Sequence, residues 1–431
     1  GRPQASSHRS PQGEGGVMPC RHCGAPLGLT MLDLGHAPPS NAFLDEQQLR
    51  RPETWYPLRV LVCEQCWLAQ TQDTGVDAAL FGDDYVYFSA YSRSWLEHAR
   101  TYVQAMVQRF ALGAHSLVVE VAANDGYLLQ YVQQAGIPCY GVEPTAGTAA
   151  AARGRGLEIV SAFFGMPLAR QLQAQGRSAD LMVANNVLAH VPDINDFVAG
   201  FACLLKPHGV VTFEFPHLLR MVQECQFDTA YHEHYSYLSL TAVQRILAAH
   251  GLEVFDVEQW PTHGGSLRVF AQRAGAGVHP VQARVTGTLA LERHSGVCSA
   301  AFYRQFQHET ERIKHELLTW LLDCRRNQVS VAAYGAAAKG NTLLNFAGVR
   351  SDLLPYVVDR NPAKQGKYLP GSRIPVGGEQ MLRDHKPMRV LILPWNLRHE
   401  IMQQLSYIGQ WGGQFVSAVP RLRLLKAGAP P

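Results

Sequence analysis

Apolar runs of strand length alternate with stretches of helical spacing from about residue 116 onwards. Each run is followed by a turn of small or polar residues and then by a helical stretch. The first four runs lie at 117–121, 139–144, 180–186 and 209–215. Continuous apolar strands that alternate with helices are typical of a parallel sheet covered on both faces. An α/β sheet is therefore predicted here, and the runs at 253–257 and 266–271 are predicted to complete it.

The same alternation begins again after a long helical segment at about 300–327. A strand-like run at 329–334 leads into a small-residue turn that opens a helix, and the next strand, at 354–359, ends in an acid. A second α/β unit is therefore predicted in the last third of the chain. Before both units, the helical stretch at 93–110 has an apolar face formed by Trp95, Ala99, Val103, Met106 and Val107.

Length and composition limit the class of protein. A chain of 431 residues is too long for one hydrophobic core, which predicts about two to four domains. A net charge of +3 without a dense basic run argues against nucleic acid and membrane surfaces as partners. No apolar stretch reaches the roughly 18 residues of a bilayer span, so a cytoplasmic, reducing location is expected. Residues 1–16 are rich in Ser, Gly, Gln and Pro and are interpreted as a disordered leader or a cloning remnant.

Four of the nine cysteines are arranged in two C-x-x-C pairs. The pairs are Cys20 with Cys23 and Cys63 with Cys66. Four thiolates at this spacing match a tetrahedral structural zinc site, with an inserted loop between the two turns. His22 is an alternative ligand, and a redox role would need only one pair in a βαβ setting, which is absent here. Structural zinc is therefore predicted.

The first two predicted parallel strands carry the signal of a nucleoside site. Glu120 lies at the end of the first strand, a small-residue loop follows, and the second strand ends in Glu143. In a Rossmann-like sheet such a loop opens a helix beside the ligand, and the second acid bonds the ribose hydroxyls. The Gly-x-Gly-x-x-Gly pattern is missing, which argues against a nicotinamide cofactor. An acid at the position of Glu120 is typical of enzymes that use S-adenosylmethionine.

The segment 227–237 concentrates proton-handling side chains. Within it, Tyr231, His232, Glu233 and His234 are consecutive and are flanked by further aromatic residues. Two histidines and a carboxylate offer a general base with an orienting partner, and the phenol offers a donor to a developing oxyanion. The alternative is a loop of partly buried aromatics with two satisfied histidines. Because the segment follows the strand at 209–215, it is expected at the carboxyl edge of the sheet, where open α/β sheets bind ligands.

Two other segments that follow predicted strands carry candidate binding residues. His190 comes after the strand at 180–186 and either lines a pocket or merely begins a helix; the pocket is the favoured interpretation. In the second unit, the loop 335–340 consists of small residues and Lys339 at a helix start, which suits a phosphate. Its spacing is not that of a Walker loop, and a plain turn with a surface lysine is the alternative.

Taken together, the chain resembles the three-part sugar C-methyltransferases that act on nucleotide-linked keto-deoxysugars. The resemblance runs from about residue 20 to residue 425. The motifs that carry it are the two cysteine pairs and eight short segments. These segments lie at residues 34–35, 39–43, 85–89, 120–126, 141–144, 231–234, 263–268 and 335–340. It implies an N-terminal zinc-binding module, a central Rossmann-like class I methyltransferase sheet with two antiparallel closing strands, and a C-terminal Rossmann-like α/β domain. A monomer is expected.

The resemblance also implies domain boundaries. They are a leader at 1–16, the zinc-binding domain at 17–75, the methyltransferase domain at 76–275, the nucleotide-sugar-binding domain at 276–425 and a tail at 426–431.

The implied substrate is a thymidine-diphosphate or similar sugar with a ketone at carbon 4. His234, oriented by Glu233, would remove the hydrogen from the adjacent carbon, most simply carbon 3, to give an enolate. Tyr231, together with Tyr85 or Tyr87, would donate to the oxyanion, and His190 would line the site. The enolate carbon would then receive the methyl group of S-adenosylmethionine.

The implied binding residues fall into two sets. Those for S-adenosylmethionine are Glu120, Ala122, Asn124, Asp125, Gly126, Glu143, Pro144, Asn185 and Asn186. Those for the nucleotide-linked sugar are Gly335, Lys339, Gly340, Asn341 and Asp359, with Lys339 near the diphosphate.

Three other functions stay open at this point. The first is a methyltransferase that acts on oxygen or nitrogen of a nucleotide-linked sugar or polysaccharide precursor. The second is a zinc-ribbon protein whose Rossmann-like units only bind a ligand for assembly. The third, a dehydrogenase that uses the C-terminal unit, is the weaker alternative because Gly-x-Gly-x-x-Gly is absent there too.

Overall fold

The computed structural model describes residues 18–74, 89 and 93–426. Within them the strands form three sheets of four, seven and six strands. The strands are β1 (Leu29–Ala37), β2 (Tyr56–Val62), β3 (Ala69–Thr71), β4 (Val118–Val121), β5 (Cys139–Val142), β6 (Ile159–Val160), β7 (Ala179–Asn185), β8 (Leu205–Pro216), β9 (Ser236–Tyr237), β10 (Leu252–Trp260), β11 (Ser266–Arg273), β12 (Val331–Tyr334), β13 (Val357–Val358), β14 (Val376–Gly377), β15 (Arg389–Ile392), β16 (Gln414–Ser417) and β17 (Arg423–Lys426).

Helices connect most of these strands. They are α1 (Arg93–Arg109), α2 (Leu129–Gln134), α3 (Ala146–Gly154), α4 (Met166–Ala174), α5 (Ile194–Leu204), α6 (Leu218–Gln223), α7 (Leu240–Ala249), α8 (Ala283–Ser295), α9 (Ala300–Arg304), α10 (Phe306–Arg326), α11 (Ala338–Ala347), α12 (Gln380–His385) and α13 (Arg398–Gln404). No helix in the described part of the chain is long and apolar enough to cross a membrane.

The central sheet has the order β10-β11-β8-β7-β4-β5-β6. Strands β8, β7, β4, β5 and β6 are parallel, and β11 and β10 close the sheet in antiparallel pairs. All four residues of β4 are buried, as expected for a strand that helices cover on both faces. The expected α/β architecture, including the two antiparallel closing strands, is therefore confirmed.

The N-terminal sheet has the order β1-β2-β3-β9 and is antiparallel throughout. Its fourth strand is supplied by a distant part of the chain, since β9 lies directly after the Tyr-His-Glu-His motif. Ala69 pairs with Tyr237 and Gln70 pairs with Ser236. The sheet that carries the cysteine turns is thus completed by the segment that carries the candidate base.

The C-terminal sheet has the order β14-β13-β12-β15-β16-β17, with only β17 antiparallel to its neighbour. The strand predicted at 354–359 is confined to Val357–Val358. Pro355 has no amide hydrogen to donate, and the amide of Leu354 donates instead to the carbonyl of Arg350 at 3.0 Å. The long predicted helix is also divided, into α9 and α10.

A buried ion pair joins α1 to the antiparallel end of the central sheet. The Nη2 and Nε atoms of Arg268 donate to Glu214 Oε2 at 2.7 and 3.0 Å, and His98 Nε2 lies 2.8 Å from Glu214 Oε1. The side chains of Arg268 and Glu214 are 2% and 0% exposed. Because water cannot replace a lost partner at this depth, the pair fixes β8 against β11.

Replacing Arg268 with leucine should therefore lower the free energy of unfolding by about 3–5 kcal/mol, because the Glu214 carboxylate would lose its main counter-ion. Urea denaturation followed by tryptophan fluorescence measures this, since the guanidinium lies 4.7 Å from the Trp260 ring. Arg326→Leu is the control, because its pair with Asp323 is exposed and should change stability by less than about 0.5 kcal/mol. Equal effects of the two substitutions would contradict the prediction.

Candidate active site and metal centre

The two cysteine turns bring their thiols together. All four sulfur atoms lie within 4.8 Å of one another, and the Cys20–Cys66 and Cys23–Cys63 sulfur pairs are each 3.5 Å apart. A tetrahedral zinc site with bonds of about 2.3 Å places sulfur atoms about 3.8 Å apart, so the cluster fits zinc. Four protein ligands leave no open position, which is the arrangement of a structural site.

The groups around the cluster also fit this role. The side-chain amide of Gln70 donates to Cys20 Sγ at 3.2 Å, and Gly24 provides the positive φ of the first turn. His22, the alternative ligand, directs its Nδ1 atom to Asn195 Oδ1 at 2.8 Å. The four cysteines are therefore the ligand set that the geometry supports.

Cys66→Ala should abolish stoichiometric zinc, because three thiolates cannot close the tetrahedral site. Inductively coupled plasma mass spectrometry of the purified protein measures the zinc content per chain. Cys203→Ala is the matched control, since Cys203 is half-buried and lies outside the cluster. One zinc per chain in the Cys66 variant would contradict this assignment.

The carboxyl edge of β4 and β5 consists of tight backbone turns. Ala122, Asn124 and Gly126 all have positive φ angles, of 60°, 50° and 79°. A Cβ atom on Gly126 would lie 2.2 Å from Leu157, so only glycine fits there. Glu143 accepts the amides of Asn124 and Thr145, each at 2.9 Å, through its two carboxylate oxygens. Its remaining lone pairs fit ribose hydroxyls.

Glu120 is the clearest sign of an expected ligand. Its side chain is fully buried, and neither carboxylate oxygen has hydrogen-bond geometry with a described residue. Burial raises the pKa of this carboxyl well above its usual range, and the nearby Tyr127 phenol opposes the shift. A buried acceptor without a donor is costly, and the ammonium group of a bound S-adenosylmethionine would satisfy it.

Two asparagines lie at the end of β7, the strand next to β4 in the sheet. Asn185 Nδ2 donates to the Tyr127 hydroxyl at 3.4 Å, and Asn186 Nδ2 lies 3.1 Å from His263 Nε2. Their Oδ1 atoms are buried and have no hydrogen-bond partner among the described residues. The structure thus brings together at one sheet edge the set expected to bind S-adenosylmethionine.

His234 is held as a neutral base. Its Nδ1 atom lies 2.7 Å from the carbonyl oxygen of Thr229, and because a carbonyl only accepts, Nδ1 carries the proton. Nε2 is then unprotonated and bonds to no described residue. Burial, and then the neighbouring His190, hold the pKa of His234 well below its usual range. Such an imidazole can accept a proton at neutral pH.

Aromatic side chains surround this base. The ring centroid of His190 lies 4.5 Å from that of His234, and the Tyr231 centroid lies 3.9 Å away. Burial lowers the pKa of His190 to about 4. Tyr85 and Tyr87 lie outside the described residues.

The contact expected between Glu233 and His234 is not observed. Asn41 Nδ2 donates to both carboxylate oxygens of Glu233, at 2.7 and 2.9 Å, and the Thr229 carbonyl takes the orienting role. Successive side chains of this tight loop point in different directions, so neighbours in sequence do not meet. Burial raises the pKa of Glu233 to about 7. His232, which had no assigned role, directs Nε2 to the carbonyl of Pro57 at 3.2 Å.

The candidate sugar-binding residues divide into two groups. Lys339 Nζ donates to Asn396 Oδ1 at 2.8 Å and lies 4.5 Å from the centre of the Trp395 ring. It lies near the loop that carries the base, since the Trp395 ring that it covers donates through Nε1 to Asp228 Oδ2 at 2.8 Å. Gly335 adopts a φ of 92° at the turn that opens α11, where a Cβ would lie 2.4 Å from Pro394.

The other three residues of that set are engaged in structural contacts. The buried Asn341 donates to the carbonyl of Ser40 at 2.7 Å, and a Cβ on Gly340 would lie 2.9 Å from Leu393. Asp359 accepts the amide of Ala336 at 2.8 Å and so shapes the turn. These contacts give them roles in packing and in shaping the loop.

A cavity of about 620 Å³ lies between the β10–β11 hairpin and the carboxyl ends of β15 and β16. Sequence patterns gave no signal for it, because its walls come from distant segments. Its lining includes Arg220, Trp260, Trp395, Asn396, Arg398, His399 and the acidic Glu224. Asn396 connects the cavity wall to Lys339.

The described fold and site define the class of protein. A seven-stranded Rossmann-like sheet with acids at the ends of its first two strands, and a half-buried neutral histidine that follows its parallel strands in the chain, are those of an S-adenosylmethionine-dependent methyltransferase. Three family models match the chain: a putative zinc binding domain over residues 20–81, a methyltransferase domain over 95–257 and a C-methyltransferase C-terminal domain over 261–420.

The chain is 35% identical to the C-methyltransferase NovU of Streptomyces niveus over 408 residues, which are 95% of this chain and 97% of that protein. It therefore belongs to the three-domain C-methyltransferase family, whose cofactors are S-adenosylmethionine and structural zinc.

Solved structures match less than half of the chain, at lower similarity. Magnesium protoporphyrin IX methyltransferase from Synechocystis is 17% identical, with a TM-score of 0.33 over 42% of this chain and 79% of that one. An S-adenosylmethionine-dependent methyltransferase from Thermotoga maritima is 15% identical, with a TM-score of 0.33 over 44% of this chain and 97% of that one.

Glu120→Gln should weaken S-adenosylmethionine binding by about 10- to 100-fold, because a charge-assisted hydrogen bond contributes about 1.5–3 kcal/mol. Isothermal titration calorimetry measures the Kd. The fold should persist, since the substitution removes a buried charge without changing the side-chain shape. Glu253→Gln, on an exposed position of β10, is the control and should leave the Kd unchanged. Equal affinities of the wild type and the Glu120 variant would contradict this role.

Proposed function

We propose that the enzyme methylates carbon 3 of a nucleotide-linked, thymidine-diphosphate-type 4-keto-deoxysugar through an enolate. The observation that carries the proposal is the state of His234: neutral, fixed in the Nδ1–H tautomer, and with an Nε2 atom that bonds to no residue in the described part of the chain. Carbon methylation needs a carbanion, and a base of this kind can make one only next to an electron-withdrawing group such as a ketone.

The proposed chemistry uses few groups. His234 Nε2 takes the proton from the carbon beside the ketone, and the electron pair of that bond passes to the carbonyl oxygen. Tyr231, and Tyr85 or Tyr87, are proposed donors to this oxygen, and His190 lines the same space. Bound S-adenosylmethionine supplies an electrophilic methyl group to the carbanion. The nearby Lys339 ammonium favours the negative charge of the enolate.

The cavity beside Trp395 supports a nucleotide as the other half of the substrate. Arg220 and Arg398 provide positive charge for a diphosphate, and the Trp395 and Trp260 rings provide aromatic surface for a base. The cavity adjoins Lys339 through Asn396. A sugar that links this cavity to His234 would pass Lys339, in keeping with a contact to the diphosphate or the sugar.

The domain division also stays a proposal. Domains at 17–75, 76–275 and 276–425 agree with the three sheets, except that β9 adds a strand to the first. We also propose that the protein is a monomer. A reducing, cytoplasmic environment is proposed because zinc binds cysteine as the reduced thiolate.

The test is a screen of nucleotide-linked 4-keto sugars with labelled methyl donor in deuterated water. A new carbon-bound methyl group at carbon 3, seen by NMR, and deuterium exchange at that carbon are expected. His234→Asn should reduce both by at least about 100-fold, as is usual for loss of a general base. His115→Asn, at an exposed position, should reduce neither. A methyl group on oxygen or nitrogen, or exchange that survives in His234→Asn, would contradict the proposal.

The pH dependence follows from the lowered pKa of His234. A base with a depressed pKa stays unprotonated as the pH falls, so the acid limb of kcat/KM should lie below the ordinary histidine value of about 6.5. An acid limb of kcat/KM with an apparent pKa near 7 would instead indicate Glu233 as the base. The Glu233→Gln variant separates the two, because it should leave the limb of His234 in place.

A further inference from the structure

The turn between β10 and β11 contains a backbone conformation that is unusual for its residue type. His263 has φ 53° and ψ 24°, in the left-handed region. Its side-chain partner, Asn186, also has a φ of 53°. Such conformations cost free energy in residues with a Cβ atom, and they are concentrated at functional sites. The motif that contains this histidine has no role in the chemistry described so far.

The hydrogen bond between these residues fixes the tautomer of the histidine. Asn186 Nδ2 lies 3.1 Å from His263 Nε2, and since an amide nitrogen only donates, Nε2 must accept. The proton of the neutral imidazole is then on Nδ1, which has no hydrogen-bond partner among the described residues. Burial, and then the charge of Lys339, lower the pKa of His263 to about 4, in keeping with a neutral ring.

Packing places His263 beside the residues expected to bind the methyl donor, because the Trp95 ring that it contacts also stacks on Tyr127, the phenol to which Asn185 donates. The His263 ring centroid lies 5.2 Å from that of Trp95. A Cβ on Gly264 would lie 2.5 Å from Trp395, so the turn rests on the same tryptophan that Lys339 covers. On the other side, Asn186 lies four residues before His190, whose ring contacts His234.

We propose that His263 is a catalytic residue that donates its Nδ1–H to the carbonyl oxygen of the substrate as this oxygen becomes an enolate. The inference rests on the proposed function, which requires that oxyanion. No proton is transferred to the oxygen. The carbon-bound proton goes to His234 Nε2, and the electron pair delocalised onto the oxygen returns to form the bond between carbon and methyl. The methyl–sulfur bond of the sulfonium would break in the same step, and its electron pair would stay on sulfur, so that S-adenosylhomocysteine leaves as a neutral thioether.

A neutral imidazole suits this task better than a charged one. An imidazolium would be acidic enough to protonate the oxygen, and the resulting enol is a weaker carbon nucleophile than the enolate. The Nδ1–H of a neutral ring stabilises the negative charge and leaves it available for attack. The bond from Asn186 keeps the ring oriented, because it occupies the opposite nitrogen.

The first test compares His263→Asn with His263→Asp. Both residues tolerate a positive φ and have nearly the same shape, but only asparagine offers a donor near the position of Nδ1. We expect kcat to fall by no more than about tenfold in the asparagine variant and by about 100- to 1,000-fold in the aspartate variant. The Kd of S-adenosylmethionine should be similar in the two variants, because both lose the Nε2 atom to which Asn186 donates. Equal kcat values in the two variants would overturn the proposal.

The second test reads the tautomer without substrate. In protein labelled with nitrogen-15 at histidine, the signals lost in the His263→Asn spectrum should show the proton on Nδ1. A proton on Nε2, which would require the Asn186 amide to be turned over, overturns the proposal. The two hypotheses fail differently: a wild type that turns over no 4-keto sugar contradicts the proposed function, whereas an active wild type with equal variants contradicts only the role of His263.

Discussion

The bond between the Asn41 amide and the Glu233 carboxylate is the contact on which the placement of the site depends. It fastens the loop of the candidate base to the zinc-bearing module. Further bonds secure the loop on its other sides: Thr342 Oγ1 donates to the carbonyl of Ala230 at 2.9 Å, and Trp395 Nε1 donates to Asp228 at 2.8 Å. A loop held from three directions keeps its imidazole in one orientation.

Burial sets the chemical state of this region. His190, His234 and His263 all have lowered pKa values, because the surrounding protein replaces the water that would stabilise a charged ring. The ammonium of Lys339 acts in the same direction on His234 and His263. One environment therefore yields both an unprotonated acceptor, His234 Nε2, and a neutral donor, His263 Nδ1–H. The Thr229 carbonyl, which accepts from His234, and the Asn186 amide, which donates to His263, decide which nitrogen of each ring carries the proton.

Sequence patterns predicted the structural features whose signal lies within a short stretch of the chain. The apolar runs predicted the strands of the central sheet, and the cysteine spacing predicted the zinc ligands, because both signals lie within a few residues. The patterns did not predict the hydrogen-bond partner of Glu233, because Asn41 lies 192 positions away in the sequence. They also predicted too long a strand at 354–359, where the proline leaves only Val357 and Val358 in the strand. The cavity at Trp395 was not predicted either, since its walls come together only when the sheets pack.

The two-residue strand β9 has a consequence for how this architecture can be inherited. Its bonding partner β3 is made well over a hundred residues earlier, so the N-terminal sheet keeps an open edge until the central sheet has been synthesised. The cysteine-bearing segment is thus not an independent unit that recombination can exchange, because its sheet needs the strand β9 from another part of the chain. A chimera that took this segment from one relative and the rest from another would have to match at Ser236–Tyr237 as well as at the splice point.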